Sequence, residues 1–210
     1  MNLDMDFMVN TQTALNADYP MPIAETASTF CETIIKKAAL KSADAKDKLF
    51  ILENELCDCA QVIVDIYSRY LFESRLIEKR QEGPLSVEEI KDLMLEAQKE
   101  AYGHGLDHRY LHPYMWTWKP HYYEADYAFY NFPYAFGLLL AKGLYGLYQK
   151  QGATFADTYE HFLSLTGKMS LEDVGKSVGI DLQDPAFWQN SIDMIKDDID
   201  LFEQLLKQLV

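Results

Sequence analysis

Positive charge is scarce in this chain: 19 Lys and Arg stand against 33 Asp and Glu, a formal net charge of −14 at pH 7. Nucleic-acid and anionic-membrane surfaces need clustered Lys and Arg, so this balance argues against both as partners. Cysteine is scarce too, with Cys31, Cys57 and Cys59 the whole complement. An odd count without a secretory framework fits reduced thiols in a cytoplasmic protein. Cys57 and Cys59 would point about 200° apart on a helix. They cannot pinch one metal, and the three read as buried or half-buried thiols. The start, Met-Asn-Leu-Asp-Met-Asp, is acidic where a secretory signal would be basic, which again points to the cytoplasm. Long apolar runs are missing: the stretch 132–147 is interrupted by Lys142 and by glycines, so no membrane span is expected. Strand-like alternation, internal repeats and low-complexity linkers are missing as well.

What remains is a chain of 210 residues, 49% hydrophobic, enough for one domain with a real core. The pattern predicts helix nearly throughout. A first helix, 22–41, starts at Pro22 and carries Ile23, Phe30, Ile34 and Ile35 inward. A long one, 44–80, repeats Leu49, Leu52, Leu56, Ile63, Ile66 and Tyr70 at helical spacing and ends at Gly83-Pro84. Ser86 and Glu89 form a capping box for a helix to Tyr102. Residues 107–125 break into short pieces, and helix resumes over 127–150 until Gly152. Two short helices follow, one over 154–165 and one capped by Ser170. Asp184-Pro185 opens the last, with Phe187, Ile192, Ile195, Ile199, Phe202 and Leu206 inward. The fold class is all-α, a helical bundle, with 1–210 reading as part of a single domain.

Several residues could carry chemistry. Glu25 opens the first helix among the small residues Ala24, Ala27 and Ser28, which would let another helix approach closely. Glu32 lies two turns on, on the same face. The pair suits a metal ligand with an outer-shell partner, or else a solvated acidic face. Tyr130 and Tyr134 are four apart and would share a helix face, with His121 across a loop. An imidazole and two phenols in one cleft are donors that stabilise an oxyanion forming on a carbonyl. The alternative is an aromatic packing cluster with its hydroxyls at the rim. His104, His108 and His112 could line one face of a helix and bind metal, but Gly103, Gly105 and Pro113 work against a continuous helix there. His161 reads as a core histidine.

Taken in order, these segments resemble the C-terminal catalytic portion of the oligoendopeptidase F-type zinc peptidases, relatives of thimet oligopeptidase. The resemblance rests on Ala24-Glu25-Thr-Ala-Ser-Thr-Phe with Glu32, His112-Pro-Tyr-Met-Trp116, Lys119-Pro-His121-Tyr-Tyr, and Phe129-Tyr-Asn-Phe-Pro-Tyr-Ala-Phe-Gly137. The tail, Gly179-Ile-Asp-Leu with Asp184-Pro-Ala-Phe-Trp188, is similar too. It implies an all-helical fold around a deep cleft, one zinc ion, and hydrolysis of short peptides as a metalloendopeptidase. Glu25 matches the third zinc ligand and Glu32 an outer-shell acid. His121 and Tyr130 match the oxyanion donors, with Tyr134 a third. In the family a His-Glu-x-x-His helix supplies the other two ligands and the general base.

No His-Glu-x-x-His occurs in these residues. The expectation is a C-terminal part of the enzyme, inactive alone, with the missing motif lying upstream in the gene or on a separate polypeptide. Such a part should expose a large apolar patch and self-associate. The competing reading is a non-catalytic helical module that binds a peptide or a partner.

Overall fold

The computed structural model describes Thr13, Asn16 and residues 18–209, the side chains of Ala125 and Leu209 excepted. Among the described residues there is no strand, only a single isolated bridge between Thr166 and Met169. The helices are α1 (Met21–Ser42), α2 (Ala45–Ala60), α3 (Ile66–Arg80), α4 (Val87–Tyr102), α5 (Phe132–Gln151), α6 (Phe155–Leu165), α7 (Leu171–Ser177) and α8 (Pro185–Leu209). The all-α expectation holds. The chain divides into two units, Met1–Cys57 with Phe136–Val210, and Asp58–Ala135.

The first unit is built on α1, α5, α6 and α7. Its core joins Ile23, Ala27 and Phe30 of α1 to Leu140, Ala141, Leu144 and Tyr145 of α5, with Phe155, Phe162, Leu163 and Val174 beyond. The inward positions of α1 recur at helical spacing, as expected, except that Ile35 is 68% exposed. Glycines on α5 set its close approaches. A Cβ on Gly143 would meet the ring of Phe187 on α8, and a Cβ on Gly137 would meet Glu25 on α1. Because α8 comes so near at Gly143, its inward face is turned from the expected one. Ser191, Ile195, Asp198 and Leu205 are buried, while Ile192, Ile199 and Leu206 are exposed. Asp198 is held there by an ion pair with Lys37.

The second unit packs α3 on α4 around Phe72, Leu93, Met94 and Ala97, with Trp116 and Tyr122 against them. The Ser86 capping box forms as read: the hydroxyl accepts from Glu89 N–H, and the Glu89 carboxylate accepts from Ser86 N–H at 2.8 Å. The single helix expected over 44–80 is interrupted by a π-helical segment, Gln61–Asp65. That wider turn changes the phase of α3. Asp65, Ser68, Arg69 and Glu73 are buried, and Tyr70, expected inward, is 51% exposed. The helix expected from 127 starts at Phe132 instead. Phe129 takes φ 57°, which no helix continues through. Cys59 is buried and Cys31 half-buried, but Cys57 is exposed, as is His161. No described helix is long and apolar enough to cross a membrane.

Candidate active site

In the first unit, α1 begins at Met21, so Glu25 lies in its second turn and not at its mouth. The helix start therefore does not account for a carboxylate at this position. What surrounds Glu25 is a tight helix crossing. A Cβ added to Gly137 would lie 2.8 Å from Glu25 Cβ and 3.3 Å from the Thr26 nitrogen. Ala27, one turn beyond Ile23, is fully buried in the same contact layer. Of the small residues read from the sequence, Ala27 is buried at the crossing, whereas Ser28 is exposed. Glu25 is half-buried.

Glu32 is placed differently. Its Oε1 lies 2.7 Å from Lys36 Nζ. Lys36 also reaches Glu55 Oε2 at 2.7 Å, and the fully buried Lys142 reaches Glu55 Oε1 at 2.6 Å. Burial pushes the Glu55 carboxyl up, but Lys142 and Lys36 outweigh burial and bring it down to about 2. Glu32 thus belongs to an ion-pair chain joining α1, α2 and α5.

In the second unit the aromatic cluster assembles. His121 sits on a short turn, Pro120–Tyr123, started by a proline. Its ring stacks on Tyr130 at 5.7 Å, and Tyr130 meets Tyr134 edge-on at 6.4 Å. Tyr127 closes against Tyr130 at 5.5 Å. Tyr130 is not on the helix with Tyr134, as the four-residue spacing suggested. It lies in the turn before α5, and the φ of Phe129 brings it round. That strained residue is fixed by Glu73, whose Oε1 accepts from Phe129 N–H at 2.8 Å.

Behind His121 runs a chain of buried polar groups that the sequence reading missed. Asn131 Nδ2 lies 2.8 Å from His121 Nε2. Asn131 Oδ1 accepts from Arg69 Nη1 at 3.3 Å. Arg69 pairs with Asp65, one turn before it on the helix, and Asp65 Oδ1 accepts from the Tyr102 hydroxyl at 2.9 Å. Burial lowers the His121 pKa, and the charges of Arg69 and Lys119 lower it further. The available signal was Asp65, Arg69 and Glu73 at four-residue steps, but on an exposed helix such a row is an ordinary salt-bridge ladder.

Arg69 lies between two hollows of this unit. One, of about 290 Å³, is walled by Tyr67, Tyr70, Phe129 and Phe132. The other, of about 350 Å³, is bordered by Asp65, Tyr102, Trp118 and Lys119. His121, Tyr130 and Tyr134 line neither hollow; their neighbours Asn131 and Phe129 line the first and Lys119 the second. An imidazole and phenolic hydroxyls are groups that can donate to a polarised carbonyl.

The histidines at 104, 108 and 112 do not form a metal site. They are exposed, His108 Nε2 lies 3.0 Å from Gly103 O, and His112 Nδ1 accepts from Tyr114 N–H at 3.2 Å. Among the described residues no group of three His, Cys, Asp or Glu could hold a metal ion. Among the described residues Glu25 is a candidate oxygen ligand without a complete shell around it.

The chain is similar to known proteins in sequence and in fold. Oligoendopeptidase F from Lactococcus lactis subsp. cremoris (the chromosomal form) is 27% identical over 97% of this chain and 32% of its own length. Group B oligopeptidase PepB of Streptococcus agalactiae is 30% identical over 68% of this chain and 24% of its own. The chain therefore spans about a third or less of the curated relatives it matches. The crystal structure of oligoendopeptidase-F from Enterococcus faecium superposes with a TM-score of 0.78 at 21% identity, covering 97% of this chain and 39% of that one. A solved structure from Chlamydophila abortus gives 0.82 at 23% identity, covering 96% and 34%. The family model described as peptidase family M3 matches residues 8–194, nearly the whole length. The chain belongs to peptidase family M3.

Proposed function

We propose that this chain is the C-terminal part, residues 1–210, of the catalytic domain of a cytoplasmic zinc metalloendopeptidase that hydrolyses short peptides. The observation that carries the reading is the His121–Tyr130–Tyr134 cluster, with rings at 5.7 and 6.4 Å, backed by the buried chain from Asn131 to Asp65. A packing cluster gains nothing from that much buried polarity, whereas a donor site needs its donors fixed before substrate arrives.

The roles follow. Glu25 is a metal ligand, and Glu32 supports the metal shell from one remove. When bound, zinc supplies Lewis acidity to water and to the scissile carbonyl. His121 donates to the carbonyl oxygen as negative charge develops there, Tyr130 donates beside it, and Tyr134 is the third donor. The strain at Phe129 holds Tyr130 against His121 and keeps the donors preorganised. The remaining ligands and the general base come from a His-Glu-x-x-His segment outside these residues, lying upstream in the gene or on a separate polypeptide. Support for a peptidase is the family membership and the names of the relatives.

The test of the donor roles is steady-state hydrolysis of a quenched fluorescent peptide by the chain complemented with that segment. Tyr130→Phe and His121→Gln should each cut kcat about 10²–10³-fold with KM little changed. Equal turnover by both variants would remove the oxyanion assignment.

A further inference from the structure

The amide of Asn131 is held between two partners of fixed character. Arg69 has donors only, so the atom of Asn131 facing it at 3.3 Å must be the carbonyl Oδ1. The amide NH₂ then faces His121 Nε2 at 2.8 Å. An NH₂ group can only donate there, so Nε2 must present its lone pair. A neutral imidazole whose Nε2 accepts carries its proton on Nδ1. Solvent cannot easily turn the amide round, because Asn131 is 8% exposed and Arg69 is 9% exposed. Arg69 cannot swing away, because Asp65 holds its other nitrogen and the Tyr102 hydroxyl holds Asp65. Every bond in the chain from Tyr102 to His121 thus has one permitted direction.

We propose that Asn131 and Arg69 are positioning residues that lock His121 in the tautomer with its proton on Nδ1, making Nδ1–H the donor this histidine offers. The consequence for catalysis rests on the peptidase reading above; the tautomer rests on the geometry alone. The surroundings agree. The charged groups facing the ring are Arg69 on α3 and Lys119 on its own turn, and both disfavour an imidazolium, as does burial. Asp65 is neutralised by Arg69, and the Glu73 carboxylate, its own pKa raised by burial, is taken by Phe129 N–H. The other groups against the ring are the aromatic rings of Tyr122 and Tyr130. An imidazolium would also set an N–H against the Asn131 amide.

The experiment is a long-range proton–nitrogen correlation spectrum of the imidazoles in the 210-residue chain near pH 7.5, with His121 assigned by its loss in His121→Gln. The expected pattern is a protonated Nδ1 and an unprotonated Nε2. In Asn131→Asp the carboxylate can only accept, so the proton should move to Nε2 and the titration midpoint should rise by about 1 pH unit or more. Protonated Nε2 in the unsubstituted chain, or an averaged pair of tautomers, overturns the proposal. So does Asn131→Asp leaving the pattern unmoved. Should Asn131→Asp fail to fold, the spectrum of the unsubstituted chain decides by itself. Hydrolysis by the complemented chain is read separately. A locked Nδ1–H with turnover indifferent to His121→Gln supports the tautomer and removes the peptidase role.

Discussion

Glu25 and Gly137 touch across a helix crossing so close that a methyl group on Gly137 would lie 2.8 Å from Glu25 Cβ. Glycine is required there by the approach of two backbones, and not by its φ. Alanine would gain about 1 kcal/mol in helix propensity. It would also force α1 and α5 apart, at a cost of about 1–3 kcal/mol. Gly137→Ala should therefore be destabilising on balance, read as a lower urea midpoint with an unchanged m-value. Gly146→Ala is the control, since its added Cβ would meet only Met194 Sδ at 4.0 Å and should stabilise slightly.

The Glu55 carboxylate makes an acid-sensitive joint in the first unit. Its folded pKa is held at about 2 against an ordinary 4.5, so it binds a proton less readily folded than unfolded. The stability this supplies is complete above about pH 4.5 and is lost as the pH falls towards 2. Urea midpoints of Glu55→Gln should accordingly fall less steeply than those of the unsubstituted chain across that window. At pH 7 the same substitution strands Lys142 and should cost about 3–5 kcal/mol. Replacing both partners by apolar residues should recover much of the loss, because the buried charge goes with its partner.

His121 titrates in the second unit with the same sign. Burial first, then Arg69 and Lys119, set its folded pKa below the ordinary 6.5. Its contribution is present above pH 6.5 and is lost as the pH falls through the folded value. Removing one of the two neighbouring cations, as in Lys119→Gln, should raise the His121 midpoint in an NMR titration. An unchanged or lower midpoint would mean that Lys119 does not face the ring.

How far the sequence reaches differs from element to element. The all-α class, the Ser86 capping box and the close approach near Ala24 and Ala27 were legible, because periodicity, a three-residue spacing and side-chain size are local properties. The π turn at Gln61–Asp65 was not, because the apolar spacing on either side of it looks like one helix. Missing it hid the burial of Asp65, Arg69 and Glu73, since a polar row on α3 reads as a wet face until the phase slips. The inward face of α8 was misplaced for a related reason. Ile195 is buried as expected, but Ile192, Ile199 and Leu206 are exposed, and Gly143 brings α8 close enough that Ser191 faces inward. In the aromatic cluster His121, Tyr130 and Tyr134 do come together. They do so through a turn at Phe129 that no residue preference announces, since phenylalanine rarely takes a positive φ.

We propose two roles, Glu25 as a zinc ligand in the first unit and His121 with Tyr130 as oxyanion donors in the second. The most direct measurement is zinc content and hydrolysis of a quenched fluorescent peptide, before and after adding a separately produced upstream segment that carries His-Glu-x-x-His. One tightly held zinc and turnover should appear only on mixing, with zinc lost in Glu25→Gln and turnover lost but zinc kept in Tyr130→Phe. A properly associated pair that holds no zinc and cleaves nothing, or one whose zinc is indifferent to Glu25→Gln, would contradict these roles.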